Sequence, residues 1–329
     1  MPLEESLVTV VIPAYNAQRW IERALASATA QTYRNIEIVV VDDGSVDQTA
    51  AIVEQAASRD GRIRLLRQQN AGAPAARNLG IREARGTLIS PLDADDLWHP
   101  EKLARQVAAL EASTPKVGLV YCWAVEIDED DRVIPPIRNG STAAGNVMSE
   151  LVAKAGIIDS ASNPLMRRSY LDAVGGYDSN RTLGTDTAED WKLYLSLAEI
   201  CDFAVVKAHL VGYRRLTGSM SRKIAKMANG MELVARWIVE KWPNLPPEVI
   251  RQMNYHKNIY LAHLALTTND FANALAYQVR SYKAQPSALF TIANLKFYLR
   301  LIARIVGLRR SSLPLRSSSI AFRDLQLTQ

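Results

Sequence analysis

Cysteine is nearly missing. Two thiols, Cys122 and Cys201, in 329 residues cannot build a disulfide framework. Both lie in apolar runs, which predicts buried thiols in a reducing, cytosolic setting. Long hydrophobic runs are missing too. No stretch of about 18 uncharged apolar residues occurs, so no membrane-spanning helix is expected. The first seven residues are short and acidic, unlike a secretory leader. Charge of one sign does not dominate: 39 basic residues face 34 acidic ones, a net +5, and no nucleic-acid partner is expected. A glycine-rich phosphate loop is absent. Gly44 stands alone, so the dinucleotide fingerprint and the P-loop both fail. Hydrophobic residues make up 48% of the chain, enough for a large core. The length predicts one large domain with an appendage.

What is present is organised around residues 88–100. Leu88-Ile89-Ser90-Pro91-Leu92 is a short apolar run suited to a strand buried on both faces. It delivers Asp93, Asp95 and Asp96 within four positions. Carboxylates crowded at a strand end repel one another, and a hard divalent cation relieves that repulsion. Magnesium is often held by one or two carboxylates, with phosphates completing its shell. The stretch therefore reads as a metal–diphosphate platform, or as an acidic turn before a helix opened by Pro100.

Upstream, residues 8–12 and 36–41 are β-branched strands, 63–66 a third, and 20–31 and 75–84 helices by apolar period. Ser45 with Gln48 reads as a capping box for a helix to residue 58. Strand–helix alternation with short connections predicts an α/β fold with a mostly parallel sheet covered on both faces. Ligands bind beyond the carboxyl ends of such strands. Three strand ends share that edge: Pro13-Ala14-Tyr15-Asn16, Asp42-Asp43-Gly44-Ser45 and Asp93-Ala94-Asp95-Asp96. A ring, a carboxylate able to accept an imide N–H and a cation platform side by side suit a uridine diphosphate.

These three motifs, with Ala76-Arg77-Asn78 between the second and third, resemble in order and spacing the family-2 glycosyltransferases, over roughly residues 7–225. The resemblance implies a GT-A fold and inverting hexosyl transfer from a nucleotide-diphosphate sugar, UDP-linked by preference. It implies a Mn2+ or Mg2+ cofactor, a saccharide or lipid-linked acceptor, and work in surface polysaccharide or glycoconjugate synthesis. By resemblance, Pro13 and Tyr15 flank the base and Asp43 or Asp42 binds its edge. Arg77 lies beside the nucleotide. Asp95 is the direct metal ligand, and Asp93 lies at the metal near the ribose or sugar.

Further along, Glu189-Asp190-Trp191 opens a helix to about residue 199. Acidic residues suit a helix N-terminus without any function. Inverting transfer nevertheless needs a base on the acceptor side, and the family places it in this pair. Asp190 is the expected base, with Glu189 and Trp191 in the substrate-binding set. Residues 211–221 carry Tyr213, Arg214, Arg215 and Ser219 and read as a basic loop over the diphosphate, with Arg214 on the donor. Leu216 stands where the family often has histidine. Residues 117–127 and 133–134 read as a hairpin whose acidic tip, 128–131, is solvated. Residues 161–166 read as a strand, and 140–156 as a small-residue segment.

Beyond residue 222 helical periodicity dominates, over 225–242, 247–267, 271–285 and 287–306. Residues 269–275 faintly resemble one tetratricopeptide hairpin, too little for an array. The expected organisation is a catalytic domain 1–222, a helical region 223–308 and a flexible tail 309–329. The last helix sets Lys296, Arg300 and Arg304 on one face beside apolar residues. That pattern fits peripheral contact with an anionic membrane, at the inner face of the plasma membrane for a cytoplasmic protein, and equally a helix packed with one wet face. Two other readings stay open. A sugar-phosphate nucleotidyltransferase uses a similar sheet but brings a glycine-rich N-terminal loop and an activating lysine. A non-catalytic nucleotide-sugar or partner-binding protein has no chemical reason to keep Asp93, Asp95 and Asp190 together.

Overall fold

The computed structural model describes residues 6–179, 188–216, 223–305 and 320–325. An N-terminal run alternates strands and helices: β1 Val8–Ala14, α1 Ile21–Thr29, β2 Ile36–Asp42, α2 Thr49–Arg59, β3 Ile63–Arg67, α3 Ala73–Arg82 and β4 Leu88–Pro91. It continues with β5 Leu97–Trp98, α4 Lys102–Glu111, β6 Val117–Ile127, α5 Met148–Ala153, β7 Leu165–Arg167 and α6 Arg168–Val174. Then come α7 Glu189–Ala198 and β8 Asp202–Arg214. The eight strands form one sheet in the order β3-β2-β1-β4-β7-β6-β8-β5. The β1–β2, β2–β3, β1–β4 and β6–β8 pairs are parallel, and β7 and β5 pair antiparallel. This is the expected α/β, mostly parallel sheet flanked by helices.

Every residue of β1 and β2 is buried. Their mostly apolar runs arise because alternate side chains enter cores on both faces of the sheet, and the one polar residue inside each, Thr9 in β1 and Glu37 in β2, pairs with the other at 2.6 Å. Val10, Ile12, Ile38 and Val40 pack on one side with Ile21, Ala24 and Leu25 of α1. Val11 and Ile89 pack on the other with Met166, Trp191 and Leu195.

Several local expectations change. Ser45 forms no capping box: its Oγ accepts the Asn16 amide, and Asp47 Oδ1 instead accepts the Thr49 amide at the start of α2. The expected hairpin after β6 is short: Ile127 bridges Val133, the Ile134 amide donates to the Glu126 carbonyl at 2.8 Å and the Asp128 amide to the Arg132 carbonyl at 3.0 Å. Residues 211–214, read as loop, are the last four residues of β8.

Beyond the sheet lie α8 Ile224–Lys241, α9 Pro247–Thr267, α10 Phe271–Ala284, a 3-10 turn Pro286–Phe290 and α11 Ile292–Ile305. Met227, Met231, Val234, Ile238, Met253 and Leu261 of α8 and α9 share the core that holds Trp191. Phe297 and Leu301 of α11 pack separately on Ala262, Ala265, Leu266 and Ala274. The expected tail from 309 falls outside the described residues except for 320–325. There Phe322 buries against Val125, Ile127 and Val133. Among the described residues no helix is long and apolar enough to cross a membrane.

Candidate active site

The strand ends meet as their registers require. Ala14 lies beside Asp42. Val11 lies beside Pro91, and the Leu92 amide donates to the Val11 carbonyl at 2.9 Å. Pro13 sits past the last residue of β1 paired with β4, where its missing N–H leaves no gap toward that strand. Tyr15 stands at the rim, 52% exposed. Its neighbour Asn16 stitches the β1 end to the next loop, donating to Ser45 Oγ and accepting from the Val46 amide.

Asp42 and Asp43 are both buried. Asp42 Oδ1 accepts the Ser45 amide at 3.2 Å. Asp43 shapes the loop after β3. Its Oδ1 accepts from Gln68 Nε2 and the Ala71 amide, both at 2.7 Å, and its Oδ2 accepts the Gly72 amide at 2.8 Å. One oxygen thus keeps lone-pair capacity for a further donor. Gly44 lets this loop close: its φ is +78°, and a Cβ there would lie 3.0 Å from the Asn70 nitrogen.

The three carboxylates of the acidic turn differ in surroundings. Asp93 Oδ1 accepts from Arg77 Nη2 at 2.7 Å, and its side chain is 27% exposed. The Asp95 carboxylate receives no hydrogen bond from another described residue. Burial, then the neighbouring Asp93 charge, pushes its pKa up to about 6. Asp96 is fully buried and raised further, by burial first. It accepts from Ser162 Oγ at 2.6 Å, Ser160 Oγ at 3.2 Å and the Arg214 amide at 2.9 Å. Asp96 therefore pins the turn to β8 and to the segment before β7. Sequence reading missed this role, and missed Ser160, Ser162 and Asn163. Asn163 exchanges two hydrogen bonds with Cys122 of β6, one with its amide and one with its carbonyl.

Arg77 joins the two halves of the site. From α3 its Nη2 reaches Asp93 and its Nη1 reaches Glu189 Oε1 at 2.9 Å. It is 4% exposed and lies 5.2 Å from the Tyr177 ring centre. Its helix neighbour Asn78 clamps Tyr177, donating to its carbonyl and accepting its amide at 2.7 and 2.8 Å. Arg77 is thus a buried tie between the acidic turn and the start of α7, not a surface group on a helix start. Glu189 is raised to about 7, by burial first, against the pull of Arg77. Asp190 follows it, half-buried and also raised by burial. Its charge reaches the phenols of Tyr177 and Tyr194, which are buried without hydrogen-bond partners among the described residues. Sequence reading missed both tyrosines. The Gly175-Gly176-Tyr177 turn and the polar rings in the apolar α7 run are the signals that point to them.

Two expected site residues lie elsewhere. Trp191 is 3% exposed, packs in the core and donates its indole N–H to the Leu151 carbonyl, which leaves it no face for a substrate. Arg214 is 2% exposed inside the strand end, not on a loop over the diphosphate. Its Nε donates to the Asp95 carbonyl at 2.7 Å, Nη1 to the Asp128 carbonyl and Nη2 to Asp131. Trp20 stacks on it at 4.7 Å. The acidic tip is split: Glu129 and Asp130 are exposed, as expected, with Glu129 taking Arg19 at the surface, while Asp131 joins this packing and also takes Arg23. Thr217 to Ser221, including Ser219, lie outside the described residues.

The residues present fit a divalent cation. Among the described residues, the Asp95 carboxylate takes no hydrogen bond from another side chain, and it lies beside a second, paired one. Among the described residues no three His, Cys, Asp or Glu converge as a closed metal cage. That suits an ion held by one or two carboxylates, its shell completed by phosphates.

The chain matches known proteins over this same region. A model of the family "Glycosyl transferase family 2" aligns with residues 9–175. An "uncharacterized glycosyltransferase" of Rickettsia bellii is 31% identical over 235 residues, 70% of this chain and 33% of the relative. The "uncharacterized glycosyltransferase EpsJ" of Bacillus subtilis is 38% identical over 131 residues, 40% of this chain and 38% of the relative. The matches thus span only about a third of these relatives' lengths. Two solved structures share the fold. TarS of S. aureus, residues 1–349 with UDP-GlcNAc, has a TM-score of 0.59 at 16% identity, covering 85% of this chain and 90% of that one. The mannosyltransferase PcManGT of Pyrobaculum calidifontis with GDP-Man and Mn2+ has a TM-score of 0.59 at 22% identity, covering 93% and 88%. With a family match over half its length, on the strands and turns that carry Tyr15, Asp43, Arg77 and the acidic turn, the chain belongs to glycosyl transferase family 2.

Proposed function

We propose that this protein is an inverting hexosyltransferase. It moves a sugar from a nucleotide-diphosphate donor, UDP-linked, to a hydroxyl of a saccharide or lipid-linked acceptor, in surface polysaccharide or glycoconjugate synthesis. The observation that carries this reading is the Arg77 bridge. One guanidinium bonded to both Asp93 and Glu189 keeps the donor-side acidic turn and the start of α7 within a single side chain's reach. A base on α7 and a diphosphate on the turn then act on one sugar.

Tyr15 and Pro13 border the base, and Asp43, with Asp42 behind it, accepts from its edge. Asp95, assisted by Asp93, holds Mn2+ or Mg2+, which when bound neutralises charge on the departing diphosphate. Asp190 takes the acceptor hydroxyl proton as that oxygen attacks the anomeric carbon opposite the nucleotide. Burial raises the pKa of Asp190, which favours proton uptake. Glu189 positions Arg77 and does not transfer protons to substrate. Residues 1–222 form the catalytic unit, 223–308 a helical support and 309–329 a tail, and the protein works in the cytoplasm with peripheral access to a membrane. The fold neighbours solved with UDP-GlcNAc and with GDP-Man and Mn2+ support the donor class.

The test is Asp190→Asn, assayed for transfer from a panel of UDP-sugars and for UDP binding by calorimetry with Mn2+. Binding is expected to persist while turnover falls on the order of 100-fold or more. Normal turnover in the variant removes Asp190 from the mechanism.

A further inference from the structure

The last described helix is apolar on two opposite faces. On α11, Phe297 and Leu301 are buried against α9 and α10. Ile292, Leu295, Leu299 and Ile302, spaced by three or four residues, form a stripe on the opposite side. They are 72%, 61%, 57% and 54% exposed, and Phe290, just before the helix, is 89% exposed. A helix apolar all round belongs in an environment that covers both sides.

Charge identifies the cover. Residues 271–323 contain nine lysines and arginines and no aspartate or glutamate. The rest of the chain then holds 30 basic and 34 acidic residues, the remainder of the 39 and 34 in the whole. All of the net positive charge lies in this C-terminal stretch. Lys296 and Arg300 are exposed along one flank of the apolar stripe. Arg304, which the sequence pattern placed with them, turns inward and donates to the Leu266 carbonyl and Asn269. A second copy docking face to face brings the same basic stretch against itself, with no acidic complement.

We propose that the outward face of α11, with Phe290 at its leading end, docks on the surface of an anionic lipid bilayer. Its apolar stripe enters the headgroup boundary, and Lys296 and Arg300 meet lipid phosphates. This surface lies outside the residues assigned to transfer, and it delivers the site to an acceptor held at a membrane.

The full chain is sedimented with vesicles of phosphatidylcholine alone and of equal parts phosphatidylcholine and phosphatidylglycerol. Binding is expected only to the anionic vesicles and should weaken with added salt. Leu299→Glu is expected to lower partitioning about tenfold or more. Lys296→Glu with Arg300→Glu is expected to lower it by about fivefold or more per charge. All these positions are exposed, so circular dichroism and UDP binding stay unchanged, which separates this outcome from a failure of the transferase reading. No binding to anionic vesicles, or binding indifferent to these substitutions, overturns the proposal. So does self-association in sedimentation velocity that Leu299→Glu abolishes, because a second copy then covers the stripe.

Discussion

Arg77→Ala tests whether the two halves of the site are tied as described. The guanidinium sits between two carboxylates and is 4% exposed. Removing one partner of a buried ion pair leaves an uncompensated charge, at a cost of about 3–5 kcal/mol. The side chains of Glu189 and Asp93 are 11% and 27% exposed, so Glu189 carries most of that cost and Asp93 regains water. Its pH dependence has a definite sign. Glu189 is raised from an ordinary 4.5 to about 7, by burial first. A raised carboxylate holds a proton in the folded state that the unfolded chain releases. Its contribution is complete below about 4.5 and is lost as pH climbs through about 7. Without Arg77 the folded value rises further, so the variant's deficit widens between pH 5 and 8. Urea denaturation at both pH values, on a cycle of Arg77→Ala, Glu189→Gln and the double variant, measures it. The double variant should recover about half or more of the loss at pH 8, as coupled buried groups do. A loss near 1 kcal/mol, typical of an exposed pair, or a deficit unchanged by Glu189→Gln, refutes the tie.

Lys102 is fully buried, with only Ser90 Oγ and Gln106 Oε1 as acceptors and the Trp98 face 3.9 Å away. Burial pushes its pKa from 10.5 down to about 7, a penalty of up to about 5 kcal/mol on the charged form. The unfolded chain keeps the proton through this window and the folded one releases it, so the wild type gains stability as pH rises from 7 to 10. Lys102→Met should be the more stable protein at pH 6 and the less stable at pH 10, and parallel urea midpoints across that range refute this. Gly44→Ala forces a side chain into left-handed backbone against Asn70, at about 1–2 kcal/mol. Because that loop is held by Asp43, calorimetry should show UDP affinity falling with it; unchanged affinity separates Asp43 from the base. Asp95→Ala should abolish the dependence of UDP affinity on Mn2+, and an intact dependence moves the ion elsewhere.

The sheet was legible because burial on both faces writes itself into the chain. Residues 8–12 and 36–41 are β-branched, mostly apolar runs with a single polar residue each, Thr9 and Glu37, and the helix from Pro247 to Thr267 carries its period and its first-turn proline. The strand ends at Tyr15, Asp43 and Asp93 followed from parallel topology alone. Arg214 was not legible. Its neighbours Gly212 and Arg215 suggest a loop, whereas the strand is set by pairing with β6, about ninety residues upstream. The partners of its side chain at Asp95, Asp128 and Asp131 are 119, 86 and 83 positions away. Local pattern reports how much of a segment is apolar; it does not report where a distant acceptor waits. Trp191 failed for the converse reason. A motif position marked it as substrate-binding, but an indole in an apolar helix finds the core and a carbonyl for its N–H.

The acidic turn shows most clearly what sequence withholds. In composition Asp93, Asp95 and Asp96 read as one acidic platform, and only the family resemblance singles out Asp95 as the direct ligand. The turn closes with the Asp96 amide on the Asp93 carbonyl, at 3.1 Å, and the three side chains end in different surroundings. Arg77 takes Asp93, the hydroxyls of Ser160 and Ser162 take Asp96, and among the described residues the Asp95 carboxylate has only its own amide as a donor. These partners lie 16, 64 and 66 positions from the carboxylates they bind. An unpaired, partly buried carboxylate is unstable as an anion unless something positive arrives. Pairing its neighbours while leaving the Asp95 carboxylate open to the proposed cation is therefore a distinction that the acidic run itself does not carry.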